Sequence, residues 1–307
     1  MSRKADLANA QKQKKDEFYT QLVDIELEVK HYKEHFKDKT VYCNCDDPEY
    51  SHFWKYFNLN FEYLGLKRLL ATHYEDTKQS YMLEMWRDSN GTHSDIKTLR
   101  QNGDFRSPEC IELLKQADII VTNPPFSLFR EYIAQLMEYE KKFLIIGNVN
   151  ALTYKEVFPL IQANKVWLGV SIHSGGREFR VPDSYPITAA GFRVDEQGNK
   201  YICVKGVRWY TNLDYTERHE GLILYKNYSK EEYPLYDNCN AININKTVDI
   251  PCDYEGLMGV PITFLDKYNP SQFEIVRPRK GDDGKDLCVN GKCPYFRILI
   301  KRRTQSK

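Results

Sequence analysis

Long apolar runs are missing from this 307-residue sequence. No stretch approaches the roughly 18 consecutive apolar residues that a membrane-spanning helix requires, so we expect no membrane partner. The first residues, Met1-Ser2-Arg3-Lys4, lead into a polar segment that lacks the apolar core of a secretory signal peptide. These two absences predict a soluble protein of the cytoplasm.

Cysteine is also sparse, with eight residues scattered along the chain. That density does not indicate a disulfide framework and fits a reducing compartment. Cys288 and Cys293 flank a turn but have no nearby histidine or second cysteine pair that would complete a structural zinc site. His31 and His35 lie one helical turn apart without the carboxylate of a metalloprotease motif, which favours a solvated helix face. We therefore expect no bound metal.

The sequence has no excess of charge of either sign, because 44 basic residues balance 43 acidic ones to a formal net charge of +1. Basic residues nevertheless accumulate at both ends of the chain. The C-terminal ones are Arg277, Arg279, Lys280, Lys285, Lys292, Arg297, Lys301, Arg302, Arg303 and Lys307. Only Asp282, Asp283 and Asp286 oppose them there. Two interpretations stay open, namely solvated tails or a surface that contacts phosphates.

The apolar patterns that are present alternate between those of helices and those of strands. Helical periodicity occupies 21–36, 53–64, 109–115 and the segment after Ser127, which is predicted to cap its helix. Strand-like runs occupy 40–43, 68–72, 118–122, 143–146 and 166–168, and the polar stretch around Ser89-Asn90-Gly91 is predicted to be a loop. Such alternation favours an α/β fold with a mainly parallel sheet, whose ligands bind beyond the carboxyl ends of the strands.

The pattern changes after about residue 170, where glycines, tyrosines and short β-like runs replace the regular alternation. Val289-Asn290-Gly291-Lys292 has the composition of a tight hairpin turn, and a strand is predicted from Tyr295 to Ile300. We predict two domains, one spanning 1–170 and a β-rich lobe spanning 171–307.

Asn123-Pro124-Pro125-Phe126 follows one of the predicted strands and has the composition of a site that acts on an aromatic amine. The lone pair of such an amine is delocalised into its ring, and two hydrogen-bond acceptors can localise it. The Asn123 side-chain oxygen and the Pro124 carbonyl would be those acceptors, held in place beforehand by two stiff prolines. Phe126 offers a flat face for stacking an extruded base. A plain Pro-Pro turn at the end of a strand is the competing interpretation.

Longer stretches elsewhere are more specific than this tetrapeptide. They are Asp16-Glu17-Phe18-Tyr19-Thr20, Val41-Tyr42-Cys43-Asn44-Cys45-Asp46-Asp47-Pro48, Gly103-Asp104-Phe105-Arg106-Ser107, Val121 to Phe126, Ile146-Gly147-Asn148-Val149-Asn150, Asn243-Ile244-Asn245-Lys246-Thr247, Gly259-Val260-Pro261-Ile262-Thr263-Phe264-Leu265 and Gly291-Lys292-Cys293-Pro294-Tyr295-Phe296-Arg297. In these stretches the chain resembles the EcoRI-type adenine-specific DNA methyltransferases over nearly its whole length.

The resemblance implies a Rossmann-like catalytic domain that uses S-adenosylmethionine, followed by a β-rich target-recognition lobe. It implies cofactor contacts from three places: Phe18, Tyr19 and Thr20 in an N-terminal motif, Cys43, Asp46 and Asp47 at the loop after the first strand, and Asp104 with Phe105 against the cofactor's adenine. The segment from Cys43 to Pro48 contains no glycine, unlike the loop of most such enzymes, and the EcoRI-type group shares this departure. A helix N-cap is the alternative role for Asp46 and Asp47.

The resemblance also implies the reaction, which is transfer of a methyl group to the N6 amine of a flipped adenine in duplex DNA. It suggests a GAATTC-like site, a restriction–modification context with a separate endonuclease, and a monomer. An RNA adenine or protein glutamine methyltransferase is the alternative enzyme, and a DNA-binding module with an inactive methyltransferase fold is the alternative class. Base readout is expected between 171 and 300, with Arg177, Arg180, Arg193 and Arg208 as open candidates.

Overall fold

The computed structural model describes residues 18–45, 47–74, 79–182 and 191–303, so that Asp46 of the predicted cofactor loop lies outside the described residues. The helices are α1 (Leu22–Val29), α2 (Lys33–Phe36), α3 (His52–Leu59), α4 (Pro108–Gln116), α5 (Phe129–Glu138) and α6 (Phe158–Gln162). The strands are β1 (Tyr19–Thr20), β2 (Thr40–Cys43), β3 (Arg68–Thr72), β4 (Tyr81–Asp88), β5 (Gly91–Thr98), β6 (Ile119–Thr122), β7 (Lys142–Asn148), β8 (Trp167–Leu168), β9 (Gly176–Val181), β10 (Phe192–Val194), β11 (Lys200–Lys205), β12 (Val207–Thr211), β13 (Leu235–Tyr236), β14 (Cys239–Asn243), β15 (Leu257–Pro261), β16 (Phe273–Pro278) and β17 (Arg297–Arg302).

An eight-stranded sheet with the order β5-β4-β3-β2-β6-β7-β12-β8 dominates the first half of the chain. Its four central strands, β3, β2, β6 and β7, are parallel. The apolar runs of β6 and β7 form strands because both sheet faces are covered there, and every residue of β6 is buried. The mixed α/β class is thus confirmed, although the outer strands β4, β5 and β12 are antiparallel to their neighbours in these pairs.

Strand order reverses between β2 and β6, which is the feature that matters most for a ligand. From β2 the chain moves to β3 on one side, and later returns to β6 on the other side. Loops that leave two such strands diverge and leave a crevice between them, where ligands of doubly wound sheets bind. Asn44 and Asn123 are the first residues after these two strands.

A β-hairpin replaces the loop that we predicted around Ser89-Asn90-Gly91. Strands β4 and β5 pair in antiparallel register from Tyr81 with Thr98 to Asp88 with Gly91, which leaves only Ser89 and Asn90 as the turn. Nearly all of β5 is exposed, so its composition is polar and lacks the alternation by which half-buried strands are detected. The loop prediction was therefore wrong except for the turn itself.

Two helix ends also differ from prediction. Helix α3 ends at Leu59 rather than at residue 64, because Asn60 leaves helical geometry and its side-chain amide donates to the Tyr56 carbonyl at 2.9 Å. Ser127 does not cap α5, since a 3-10 turn over Phe126–Leu128 precedes the helix and Leu128 occupies the N-cap position.

A smaller four-stranded sheet has the order β1-β9-β11-β10. Its pairs are antiparallel, and they align Thr20 with Phe179 and Tyr19 with Arg180. The sheet therefore joins the N-terminal motif to residues far along the chain.

The chain divides into two compact units, and all described candidate site residues lie in unit 1. Unit 1 comprises 1–156 and 168–213, and unit 2 comprises 157–167 and 214–307. A single boundary at residue 170 does not reproduce this division, because β9 to β12 belong to unit 1. The functional roles assigned to 1–170 and 171–307 stay predictions.

Unit 2 contains a five-stranded sheet with the order β13-β14-β15-β17-β16. The turn at Asn290-Gly291 is confirmed, since Val289 and Lys292 exchange backbone hydrogen bonds of 2.8 and 3.0 Å and both turn residues have positive φ. The strand that follows begins at Arg297 rather than at Tyr295. Cys288 and Cys293, which we weighed as metal ligands, are joined by a disulfide bond that the cysteine count did not predict.

The described part of the basic C-terminal segment is folded rather than a solvated tail, since it forms β16, β17 and the turns between them. Its acidic residues pair with several of its cations. Arg279 and Lys280 both contact Asp286, and their hydrogen bonds lower the pKa of that carboxyl to about 2. Arg303 donates instead to the Pro270 carbonyl at 2.8 Å, and it has no ion pair with a carboxylate among the described residues.

None of the helices within the described residues is long and apolar enough to cross a membrane.

Candidate active site

Asn123 lies at the carboxyl end of β6 and is 6% exposed. Its side-chain nitrogen donates to the Phe18 carbonyl at 2.5 Å, although the two residues are 105 positions apart. Because an amide has its donor and its acceptor on opposite sides, this hydrogen bond fixes the direction of the Asn123 oxygen. The predicted catalytic residue and the predicted N-terminal motif are thus brought together.

The two prolines after Asn123 hold the chain until the next turn begins. Pro124 is buried and Pro125 half-buried, and the Pro125 carbonyl accepts a hydrogen bond from Leu128 at 3.0 Å. This bond closes the 3-10 turn that contains Phe126. Phe126 is half-buried, so its ring is only partly covered by protein.

Three aromatic rings meet beside the amide of Asn123. The Phe18 ring centroid lies 5.6 Å from that of Phe126 and 5.8 Å from that of Phe179. Phe179 on β9 is 1% exposed and packs against Phe18. Phe18 and Phe126 are half-buried. We refer to Phe18, Phe126 and Phe179 as the aromatic cluster.

The rest of the N-terminal motif lies against the loop that follows β2 and the first residue of α3. The Thr20 carbonyl contacts Nδ1 of His52 at 2.7 Å, and the Tyr19 ring lies 6.0 Å from that of Tyr50. Thr20 is buried, and its hydroxyl has no hydrogen-bond partner within the described part of the chain. A buried hydroxyl of this kind fits a site that is completed by a ligand.

Asp47 shapes the loop after β2. One of its carboxylate oxygens accepts from the Glu49 amide at 2.9 Å, and the other lies 3.4 Å from Nε2 of His73. The cap of α3 is Ser51, whose hydroxyl accepts from Phe53, so the alternative role of Asp47 as a helix cap is wrong. Cys43 is the last residue of β2 and is fully buried.

Asp104 and Phe105 lie in a loop pressed against the end of β3. Gly103 has a φ of +78°, and a side chain there would collide with the His73 carbonyl. Arg106 makes hydrogen bonds of 2.9 and 2.6 Å to the Asp104 carboxylate. Burial would raise the pKa of Asp104, but the hydrogen bonds and charge of Arg106 outweigh it and hold the pKa below its usual value. The carboxylate is therefore ionised at neutral pH.

Asn44 is a site residue that the sequence reasoning missed. It is buried directly after β2, and its side-chain oxygen accepts from the Tyr132 hydroxyl at 2.5 Å. Its amide nitrogen has no hydrogen-bond partner among the described residues. The Phe105 ring packs edge-on against Tyr132 at 5.0 Å, so Tyr132 connects Phe105 to Asn44. Its sequence signal is weak, namely a polar residue immediately after a buried strand.

The residues around this crevice fit a cofactor with a polar amino-acid part and an aromatic base. The Thr20 hydroxyl and the Asn44 amide nitrogen, which lack a hydrogen-bond partner among the described residues, offer an acceptor and a donor. The loop of Asp104 and Phe105 adds an ionised carboxylate beside an apolar ring. Within the described ranges no group of three or more histidine, cysteine or acidic side chains could hold a metal ion.

Comparison with known proteins gives one family and several curated relatives. A family model described as "Adenine-specific methyltransferase EcoRI" matches residues 6–303. The chain is 52% identical to Type II methyltransferase M.EcoRI of Escherichia coli, over 98% of this chain and 97% of that protein. It is 38% identical to Type II methyltransferase M.MgeORF184P of Mycoplasma genitalium, over 96% of this chain and 98% of that protein. The chain is 37% identical to Type II methyltransferase M.MpnI of Mycoplasma pneumoniae, over 96% of this chain and 97% of that protein. No solved structure matches the chain significantly.

Proposed function

Because the chain belongs to the EcoRI family of adenine-specific methyltransferases, we propose that Asn123 and Pro124 hold the exocyclic amine of the target adenine for methylation. The enzyme is a type II adenine-specific DNA methyltransferase. Membership of this family favours a DNA adenine methyltransferase over the RNA adenine or protein glutamine methyltransferase, and over a DNA-binding module with an inactive methyltransferase fold. The observation that carries the assignment of residues is the hydrogen bond from the Asn123 side chain to the Phe18 carbonyl.

The two acceptors act on the lone pair of the adenine N6. One amine hydrogen donates to the Asn123 side-chain oxygen and the other to the Pro124 carbonyl, which turns the lone pair away from the ring. A bound methyl donor would supply the methyl group that this nitrogen takes up, with the donor's thioether as the leaving group, and the nitrogen would then lose one hydrogen as a proton to water. Neither acceptor is charged, so the site does not rely on an ionised general base.

The aromatic cluster supplies the surface on which the extruded adenine stacks. Extrusion costs a few kcal/mol because base pairing and stacking are lost. Stacking on an aromatic side chain returns roughly 1–3 kcal/mol. Phe126 and Phe18 are the half-buried members of the cluster, so their rings have exposed surface on which the adenine can stack.

A methyl donor of the S-adenosylmethionine type belongs to the reaction of this family. We assign its binding to Thr20, Asn44, Asp47, Asp104 and Phe105, with Phe18, Tyr19, Cys43 and Asp46 as further predicted contacts. When bound, it supplies an electrophilic methyl group on a sulfonium sulfur. The eight-stranded sheet is then the Rossmann-like domain, with the cofactor at the crevice between β2 and β6.

The substrate that we propose is duplex DNA with a GAATTC-like site, methylated in a restriction–modification system beside a separate endonuclease. The enzyme would act as a monomer on one adenine of each strand. The 52% identity to M.EcoRI along both chains supports this proposal.

Methylation mapping tests the function directly. DNA from cells that express the wild-type chain should carry N6-methyladenine and resist an endonuclease that cuts unmethylated GAATTC. DNA from cells that express Asn123→Ala should be cut. Methylation at another sequence would overturn the GAATTC assignment alone, whereas adenine methylation by Asn123→Ala at the wild-type rate would overturn the catalytic assignment.

A further inference from the structure

Two of the four arginines considered for DNA contact are held by carboxylates. The Arg193 guanidinium makes two hydrogen bonds of 2.6 Å to Glu178. Arg177 lies 3.4 Å from Asp24, so its charge is also opposed. An arginine whose donors already meet a carboxylate has fewer donors left for another anion.

The other two arginines differ in their surroundings. Arg208 is 4% exposed and donates to the carbonyls of His173 and Val207, which places its guanidinium inside unit 1. Arg180 is half-buried and has no carboxylate at ion-pair distance within the described part of the chain. Its guanidinium lies 5.6 Å from the centre of the Tyr50 ring. A cation over an aromatic face keeps its hydrogen-bond donors available at the edge of the guanidinium.

Arg180 also has a defined place beside the candidate active site. It follows Phe179 of the aromatic cluster on β9 and aligns with Tyr19 on β1. Successive residues of a strand point to opposite faces, so Phe179 supports the cluster while Arg180 lies on the other face of the same small sheet. The residue next to Tyr19 is Phe18, whose carbonyl holds Asn123.

We propose that Arg180 binds a backbone phosphate of the DNA strand that carries the target adenine. This inference rests on the proposed function, because it requires a DNA substrate. The planar guanidinium has the geometry to donate two hydrogen bonds to one phosphate. Such a contact, one residue along β9 from Phe179 and on the opposite face of the small sheet, fixes the strand relative to Asn123 and does not read the sequence.

The experiment measures duplex affinity across a salt series for the wild type, Arg180→Gln, Arg180→Lys and Arg193→Gln. Arg193→Gln is the matched control, because it removes the same charge from the same sheet at a residue already paired with Glu178. We expect Arg180→Gln to weaken binding about tenfold to cognate and scrambled duplexes alike, which is the loss of one charge-assisted hydrogen-bonded contact. Its slope of log affinity against log salt should fall by roughly one. Arg180→Lys, which keeps the charge, should recover part of both.

Each alternative outcome is distinguishable. Equal losses in Arg180→Gln and Arg193→Gln would show an effect of net charge and overturn the assignment. A changed preference between cognate and scrambled duplexes would make Arg180 a base-reading residue, and weaker S-adenosylmethionine binding would place it on the cofactor; either result overturns the proposal. Failure of the wild type itself to bind and methylate any duplex would instead overturn the proposed function.

Discussion

At the scale of single residues, the nitrogen and the oxygen of the Asn123 side-chain amide have different roles. Its nitrogen is engaged by Phe18, and its oxygen is the proposed acceptor for the substrate amine. Asn123→Ala should therefore lower the single-turnover methylation rate about a hundredfold, or roughly 3 kcal/mol, the typical cost of one contact made mainly in the transition state. Affinity for S-adenosylmethionine should stay near the wild-type value. Rapid-quench methylation with equilibrium cofactor titration measures both, and an unchanged rate would refute the mechanism.

Asp104 provides a second test, this time of the cofactor. We expect Asp104→Ala to weaken S-adenosylmethionine binding more than DNA binding, because the carboxylate is placed against the cofactor's adenine. Arg106→Ala is the control, since Arg106 holds the same carboxylate in the loop. If Asp104 acts only by shaping the loop, calorimetric titration will show equal losses for the two variants, and the direct contact is then wrong.

The sequence allowed prediction of those site residues that form a short contiguous motif. Asn123 and its prolines form one short motif after an apolar strand, so their position at a strand end followed from the sequence. Phe179 could not be found in that way, since its contact with Phe18 exists only because β1 and β9 pair. Asn44 gave a weak local signal, as one polar residue after β2 among many such positions.

At the scale of elements, buried strands were predictable and exposed ones were not. Strands β2, β3, β6 and β7 are mostly buried and therefore consist of apolar runs that the sequence reveals. Their observed bounds are nearly those expected. The two strands of the β4–β5 hairpin are joined by backbone pairing, and nearly all of β5 is exposed. Because its side chains face solvent, β5 shows no alternation of apolar and polar residues in the sequence. The local sign of the hairpin in the sequence is the dipeptide Asn90-Gly91, of which Asn90 lies in the turn and Gly91 begins β5.

The pairing of β1 with β9 gives a prediction that concerns an element rather than a catalytic group. Phe179→Leu should lower the single-turnover methylation rate on the order of tenfold, because Phe18 would lose the ring behind it and the Asn123 amide would shift. Ile202→Val is the control, as Ile202 aligns with Phe179 on the neighbouring strand. Each change should cost about 1 kcal/mol of unfolding free energy. Equal methylation rates for the two variants at saturating cofactor and DNA would show that Phe179 has only a structural role.

At the scale of the whole molecule, basic residues of unit 2 provide a test of its contribution to DNA binding. Changing Arg302 and Arg303 together to glutamine should weaken binding to all duplexes about equally, and should reduce the salt slope by roughly one for each lost phosphate contact. The double change Arg277→Gln with Arg279→Gln removes the same charge from residues that Asp282 and Asp286 already oppose. Filter binding across a salt series compares them. An unchanged slope in the Arg302 and Arg303 variant would remove these two residues from the DNA surface.

Strand β1 is made well before β9, the strand with which it pairs, and this order sets when a newly made copy can work. During synthesis residues 18–20 leave the ribosome long before β9 exists, so the Phe18 carbonyl has no fixed place from which to hold Asn123. The antiparallel strand β12, which flanks β7 in the large sheet, is made later still. A ribosome-bound chain that ends before residue 176 would thus contain Asn123-Pro124-Pro125-Phe126 and yet leave DNA unmodified. Methylation of DNA would then begin only after β9 has been made, because β1 takes its place in the small sheet by pairing with that later strand.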